Sequence, residues 1–185
     1  SEWAQHFLES FLKVRGRIIP NGVDLDVFKP SGPYKDFGGN PTYLYSRYNR
    51  DESKMWIKAW YQYQLIQRLN PGAKLVIVGR FSEELVRAGF DFFNGENFEY
   101  YGVAQTPEEM AQIYRGCRYF LATYYMDCFS NTYIEALCCG MRLYKPDKSG
   151  GTAEILKYWK EYGRGYFGCK RMADQYYQLF KEVLS

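Results

Sequence analysis

From Thr42 onward the sequence alternates between short runs rich in Val, Ile, Tyr and Phe and longer runs whose apolar residues recur at helical spacing. Apolar residues at i, i+3 and i+4 form one face of a helix, whereas short β-branched or aromatic runs bounded by Gly or Pro form buried strands. The pattern predicts strands at 42–46, 74–78, 98–101, 119–123 and 142–144. Helices are predicted at 54–69, 83–88, 107–114, 132–138, 152–158 and 171–184, with Pro107 suited to a first helical turn. Strands that alternate with helices pair in parallel, because each return path is a helix lying on the sheet. The expected fold class is therefore α/β: a Rossmann-like parallel sheet flanked by helices on both faces.

Before this regular region, Ser1 precedes Trp3, Phe7, Leu8, Phe11 and Leu12 at helical spacing, which predicts a leading helix within residues 1–16. Residues 17–19 read as a brief strand stopped by Pro20 and turned by Asn21-Gly22. Residues 31–41 read as a loop, and 170–185 as a closing helix. A chain of 185 residues buries one sizeable core but not two full α/β domains around a cleft, so residues 1–185 are expected to form a single domain.

Composition removes several function classes. The net charge of +3 is weak and the basic residues are scattered, which disfavours nucleic acid as a partner. The five cysteines are odd in number and form no C-x-x-C pair, and His6 is the sole histidine, so neither a metal site nor a disulfide framework is expected. No apolar run approaches the roughly 20 residues that span a bilayer, and the N-terminus lacks a secretory pattern, so the cytoplasm is the expected compartment. Gly38-Gly39 and Gly150-Gly151 make neither G-x-G-x-x-G nor a P-loop. Cys138 and Cys139 read as small residues where a helix packs on the sheet. The 19 tyrosines pair an apolar body with a polar tip, suited to half-buried positions and to sugar or base sites alike.

Ligands of parallel sheets bind beyond the carboxyl ends of the strands. Attention falls on the loops after Ser46, Val78, Tyr101 and Thr123. The first holds Arg47 and Lys54 at its two ends, beside a helix N-terminus. A diphosphate would suit that pair, since Arg grips two oxygens and Lys adds a point charge. A solvated basic loop with Asp51 and Glu52 as local partners also fits it. After Thr123, Asp127 precedes the helix start and Glu135 lies one turn inside it. The backbone from Cys128 through Phe129 and Ser130 to Asn131 would present N–H groups to phosphate or sugar oxygens. Glu135 could accept from both hydroxyls of a ribose, or Asp127 could cap the helix and Glu135 be a surface residue. Asp24-Leu25-Asp26 has D-x-D spacing but lies inside the Pro-Asn-Gly-Val-Asp turn, and is read as structural.

These residues, in order, carry a resemblance. Ile19-Pro20-Asn21-Gly22-Val23-Asp24 with Phe28 and Pro30, then Ser46-Arg47, Lys54, Val76-Ile77-Val78-Gly79, Tyr101-Gly102 and Glu135-Ala136-Leu137-Cys138-Cys139-Gly140, resemble the C-terminal, nucleotide-sugar-binding domain of retaining GT-B glycosyltransferases. That group (group 1, family 4-like) includes sucrose synthase-like enzymes and mannosyltransferases. The resemblance implies half of a GT-B fold, serving as a donor-binding domain. It implies retaining hexosyl transfer without a metal or other cofactor, with a UDP- or GDP-sugar as donor. Arg47 and Lys54 would meet the diphosphate, Glu135 the ribose and Asp127 the transferred sugar. Gly79-Arg80 and Tyr101-Gly102 would flank the nucleobase. The chain departs from the family at Asp127, where Glu is usual, at Cys128-Phe129-Ser130, where a Gly-Phe-Gly-like turn is usual, and at Met55. The acceptor half has no room in 185 residues, so an acceptor domain or partner chain is expected to supply it. A nucleotide-sugar epimerase and a non-catalytic nucleotide-sugar-binding module are the alternative readings.

Overall fold

The computed structural model describes residues 1–13, 15–38, 41–47, 56–81, 83–84, 86–87, 91, 97–124, 127–148 and 150–184, apart from the side chains of Trp3 and Arg47. The elements run α1 (Glu2–Leu12), β1 (Thr42–Arg47), α2 (Trp56–Leu69), β2 (Lys74–Gly79), β3 (Phe98–Gly102), α3 (Pro107–Gly116), β4 (Tyr119–Leu121), α4 (Asn131–Cys138), β5 (Arg142–Tyr144), α5 (Gly150–Tyr162), a 3₁₀ turn (Arg164–Phe167) and α6 (Cys169–Leu184). Residues 83, 84, 86 and 87 are helical, while 85 and 88 of that expected helix lie outside the described residues, as do 54 and 55 at the expected start of α2.

The five strands form one sheet in the order β3-β2-β1-β4-β5, and each neighbouring pair is parallel. The α/β, Rossmann-like class expected from the alternation is the observed one. In β2 every residue from Leu75 to Gly79 is buried, which a strand achieves only with cover on both faces. Leu44 and Tyr45 in β1 and Phe120 and Leu121 in β4 are likewise fully enclosed. The buried apolar residues make up one cluster that extends from Val23 to Phe167. None of the described helices is long and apolar enough to cross a membrane.

Tyrosine does much of the packing. Tyr63 of α2 shares its helix face with Ala59 and Ile66, and its hydroxyl donates to the Ala73 carbonyl oxygen at 2.6 Å. A large side chain thus fills the core and also satisfies a backbone acceptor at the foot of β2. Tyr124 and Tyr133 stack at 4.6 Å, with Phe120 edge-on to both rings. The expected helix ends follow local chemistry: Ser1 accepts from Ala4 N at the start of α1, and Thr106 accepts from Glu109 N ahead of Pro107 in α3.

The brief strand expected at 17–19 does not form. Just beyond it, Arg171 Nη2 donates to Pro20 O at 2.6 Å and Val23 makes an isolated bridge to Gly168, ahead of α6. Residues 17–19 take no part in the sheet, whose order is β3-β2-β1-β4-β5. The strand expected at 119–123 pairs only through Leu121. Beyond it the Tyr124 N–H donates to the Tyr133 hydroxyl at 2.9 Å.

Phe120 lies at the centre of the aromatic packing and is fully buried. Phe120→Ala is expected to cost about 3–5 kcal/mol, lowering the urea midpoint while leaving the slope of the unfolding transition unchanged.

Candidate functional site

The strand order reverses direction between β1 and β4: from β1 the chain steps outward through β2 and β3, then returns to β4 on the other side of β1. A crevice opens at the carboxyl ends of strands at such a reversal. Of the two loops singled out in the sequence, residues 127–131 of the one after β4 are described, and residues 48–55 of the one after β1 lie outside the described residues. Arg47 closes β1, opposite Gly79 in the register. Its side chain, Lys54 and Met55 lie outside the described residues.

The strand ends are shaped by glycine. Gly79 at the end of β2 has φ 122° and Gly102 at the end of β3 has φ 83°, conformations that a side chain disfavours. Beside them the β2–β3 register slips between Ile77 and Val78, a bulge that turns the strand ends outward. Between these ends and α3 and α4 lies a cavity of about 350 Å³. Its walls include Ser46, Val78, Gly79, Val103, Thr106 and Met110, with Phe28 and Glu135 also among its lining residues. Phe28 is held there by two arginines that bind backbone carbonyls. Arg115 donates to Lys29 O at 3.2 Å and Pro33 O at 2.6 Å, and Arg164 to Phe28 O at 2.9 Å.

Glu135 is the one acidic residue among the described residues of this lining. Its position in the second turn of α4, between Ile134 and Ala136, which are fully buried, draws it inward. Desolvation pushes its carboxyl up to about 7, opposed by the hydrogen bond that the Tyr114 hydroxyl donates to Oε2 at 3.0 Å. A carboxylate in a largely apolar cavity with acceptor sites to spare can receive vicinal hydroxyls or other neutral donors. The Glu135 side chain is half-buried, in contrast to the exposed surface residue that the sequence also allowed.

The loop of residues 127–131 is built as a compact unit. Asp127 Oδ1 accepts from Phe129 N at 3.2 Å, so part of this carboxylate closes a turn in its own loop. Asn21 Nδ2 donates to Phe129 O at 3.2 Å, which ties the Asn-Gly turn of the N-terminal segment to the loop. The Phe129 ring is buried against Tyr158 and Phe167. Ser130 takes the cap position of α4, but its hydroxyl makes no cap bond, and Asn131 opens the helix at an exposed site. Gly151 backs the loop from α5 so closely that an added Cβ would fall 1.9 Å from Cys128 O. The Tyr124 hydroxyl donates to Ser46 O at 2.5 Å, tying the end of β4 to the end of β1.

Other predicted residues spread out. Arg80 is exposed at the rim. Tyr101 is half-buried; its hydroxyl donates to Glu109 Oε1 at 2.5 Å, which directs it toward the start of α3. Tyr100 rather than Tyr101 bonds the Gly79 carbonyl oxygen, at 2.9 Å. Sequence reasoning missed Tyr114, Val103, Thr106 and Met110. The Thr106-Pro107 helix start was the available signal for Thr106, and nothing in the sequence pattern separated Tyr114 from the other core tyrosines. Asp24 Oδ1 accepts from Asp26 N at 2.8 Å, in keeping with a structural D-x-D.

No family model matches the chain, and no curated protein matches it by sequence. Solved structures do. The pneumococcal O-GlcNAc transferase GtfA in complex with UDP and GlcNAc matches with a TM-score of 0.62 at 16% identity, over 99% of this chain and 43% of that one. A GtfA/B complex matches with a TM-score of 0.64 at 19% identity, over 97% and 43%. TarM matches with a TM-score of 0.50 at 13% identity, over 84% and 36%. The fold is that of one half of a GT-B glycosyltransferase. The chain spans 43% of the length of the first two matched chains.

Two outcomes test this geometry. Gly151→Ala is expected to push the Asp127–Cys128 backbone aside at a cost of about 1–3 kcal/mol, read by urea unfolding and by faster amide exchange in the first turn of α4. A carboxyl raised from 4.5 to about 7 binds its proton more tightly in the folded state, so its stabilising effect is full in acid and is lost as pH rises through about 7. Glu135→Gln is therefore expected to be more stable than wild type at alkaline pH, by up to about 3 kcal/mol, and to lose that advantage in acid when melting curves are compared.

Proposed function

We propose that the chain binds a nucleoside diphosphate sugar in the cavity at the strand ends and supplies the donor half of a glycosyl transfer. The carrying observation is Glu135, a single desolvated carboxylate at an otherwise largely apolar cavity beside the strand-order reversal of a GT-B half-domain. In this reading the carboxylate accepts from the ribose diol. The nucleobase lies between the Gly79-Arg80 and Tyr101-Gly102 loops, with Thr106 and Met110 as its wall. Amide groups of Cys128, Ser130 and Asn131 meet the sugar and phosphate oxygens at the start of α4, where the helix dipole favours negative charge, while the Phe129 amide closes the loop on Asp127. Asp127 contacts the transferred sugar.

Arg47 and Lys54 complete the proposal as cations on the diphosphate. Charge grows on the leaving phosphate as the glycosidic bond breaks, so fixed cations there act on the transition state, each contact of that class being worth about 3 kcal/mol. Departure assisted in this way needs no metal or other cofactor, and the transfer is proposed to retain the anomeric configuration. A UDP- or GDP-sugar is the proposed donor, and the matched GtfA structure containing UDP and GlcNAc supports that class. The acceptor surface is proposed to come from a further domain or a partner chain, in line with the share of the matched chains that this one spans.

Calorimetric titration with UDP, GDP, ADP and their sugars tests the reading. UDP or GDP is expected to bind. Glu135→Ala is expected to weaken that binding roughly 10- to 100-fold, since a hydrogen bond to a charged group is worth about 1.5–3 kcal/mol. Binding of none of the six, or binding indifferent to Glu135→Ala, removes the ribose assignment.

A further inference from the structure

Glu135 and Tyr114 come from different helices, α4 and α3, and meet beside the cavity. Tyr114 is 1% exposed, and its ring packs against Phe28 and Phe120, with centroids 6.2 and 6.4 Å away. A ring enclosed in this way cannot swing its hydroxyl elsewhere without moving core side chains. That hydroxyl donates to Glu135 Oε2 at 3.0 Å. Burial and the neighbouring carboxylate hold the phenol well above its ordinary range, so it stays protonated and acts as a permanent donor.

We propose that Tyr114 is the positioning residue of the site, fixing Glu135 in one rotamer through Oε2 so that Oε1 is left to accept from the ribose of a nucleoside diphosphate. The inference rests on the nucleotide reading of the cavity. It differs from a simple picture of two equivalent carboxylate oxygens, since one of them already has a partner. Fixing the acceptor before the ligand arrives removes a side-chain ordering cost from binding.

The same bond governs the charge that Glu135 carries. Desolvation raises its carboxyl, and the Tyr114 donor lowers it. The other titratable groups nearby are two thiols and two arginines, and the arginines keep their charge. Cys138 and Cys139 on α4 are pushed up by burial to about 12 and about 11 and stay neutral. The guanidinium of Arg115 on α3 is engaged with the carbonyl oxygens of Val27, Lys29 and Pro33, and that of Arg164 with those of Leu25 and Phe28. Tyr114 is therefore the group that favours the ionised form of Glu135 against desolvation.

The test uses UDP and GDP as probes, titrated calorimetrically from about pH 6 to about pH 9 against wild type, Tyr114→Phe and Glu135→Ala. Wild-type affinity is expected to fall as pH drops through about 7. Tyr114→Phe removes one hydroxyl and should move that midpoint upward. At about pH 7.5 its affinity is then expected to be roughly three- to tenfold weaker, with the deficit shrinking toward pH 9. A deficit that is the same at every pH, or no deficit, overturns the positioning role. If Glu135→Ala binds as wild type does, the ribose reading fails and takes the proposal with it. Loss of binding in Glu135→Ala beside a wild-type pH profile in Tyr114→Phe sinks the Tyr114 role alone. Should Tyr114→Phe not fold, 3-fluorotyrosine incorporated at position 114 keeps the shape and donates more strongly. The midpoint should then move downward, and an unchanged midpoint overturns the proposal.

Discussion

Each neighbouring strand pair in the sheet is parallel, so each chain reversal within it is carried by a connection lying over the sheet. This constraint covers both faces, turns β2 into an uninterrupted apolar run, and gathers all five carboxyl ends at one edge. Backbone groups at that edge have no further strand to pair with. The protein meets them with side chains, helix starts and a cavity. The reversal of strand order between β1 and β4 then marks where a crevice opens at that edge, and the candidate site lies at these strand ends.

Tyrosine is the second organising element. An aliphatic core of equal volume would remove hydroxyl donors from carbonyl oxygens at the strand ends. Tyr63 reaches Ala73 O, Tyr100 reaches Gly79 O and Tyr124 reaches Ser46 O, each from a ring packed in or against the core. Tyr114 does the same for a carboxylate. The abundance of tyrosine is thus a way of filling volume while bringing a donor to a fixed point. It makes the floor of the site continuous with the core, so the position of Glu135 is set by packing as much as by its own helix.

The loop after β4 shows how close approach replaces side-chain contacts. Gly151 lets α5 press on the Asp127–Cys128 backbone, and Gly22 meets the backbone of Gly168 and Cys169 at a similar separation, under 3 Å from an added Cβ. Asn21, next to Gly22, donates to Phe129 O. The N-terminal segment, the 3₁₀ turn and α5 therefore converge on the loop from three sides. The sequence marks Pro20-Asn21-Gly22 as a turn, and the fold makes it a support for residues more than 100 positions away.

The architecture was legible because its signals are local. Periodicity separated strand from helix, Pro107 and Thr106 marked a helix start, and the alternation itself required parallel pairing. The brief strand expected at residues 17–19 did not form: a strand needs a partner strand, which no local pattern reports. At the site, the sequence supplied Glu135 and the loop of residues 127–131 as chemically suited groups. It left open whether Glu135 was buried or exposed, and it did not report that Arg80 is exposed or that the Tyr101 hydroxyl is engaged by Glu109. Tyr114 could not be distinguished among 19 tyrosines, because its role comes from a partner 21 positions later on another helix. Residue type and spacing determine which conformations and chemistries are open to a segment. Which carboxylate loses its water, and which hydroxyl faces it, is decided only when α3 and α4 pack together, since desolvation and hydrogen bonding belong to the packed pair and to neither helix alone.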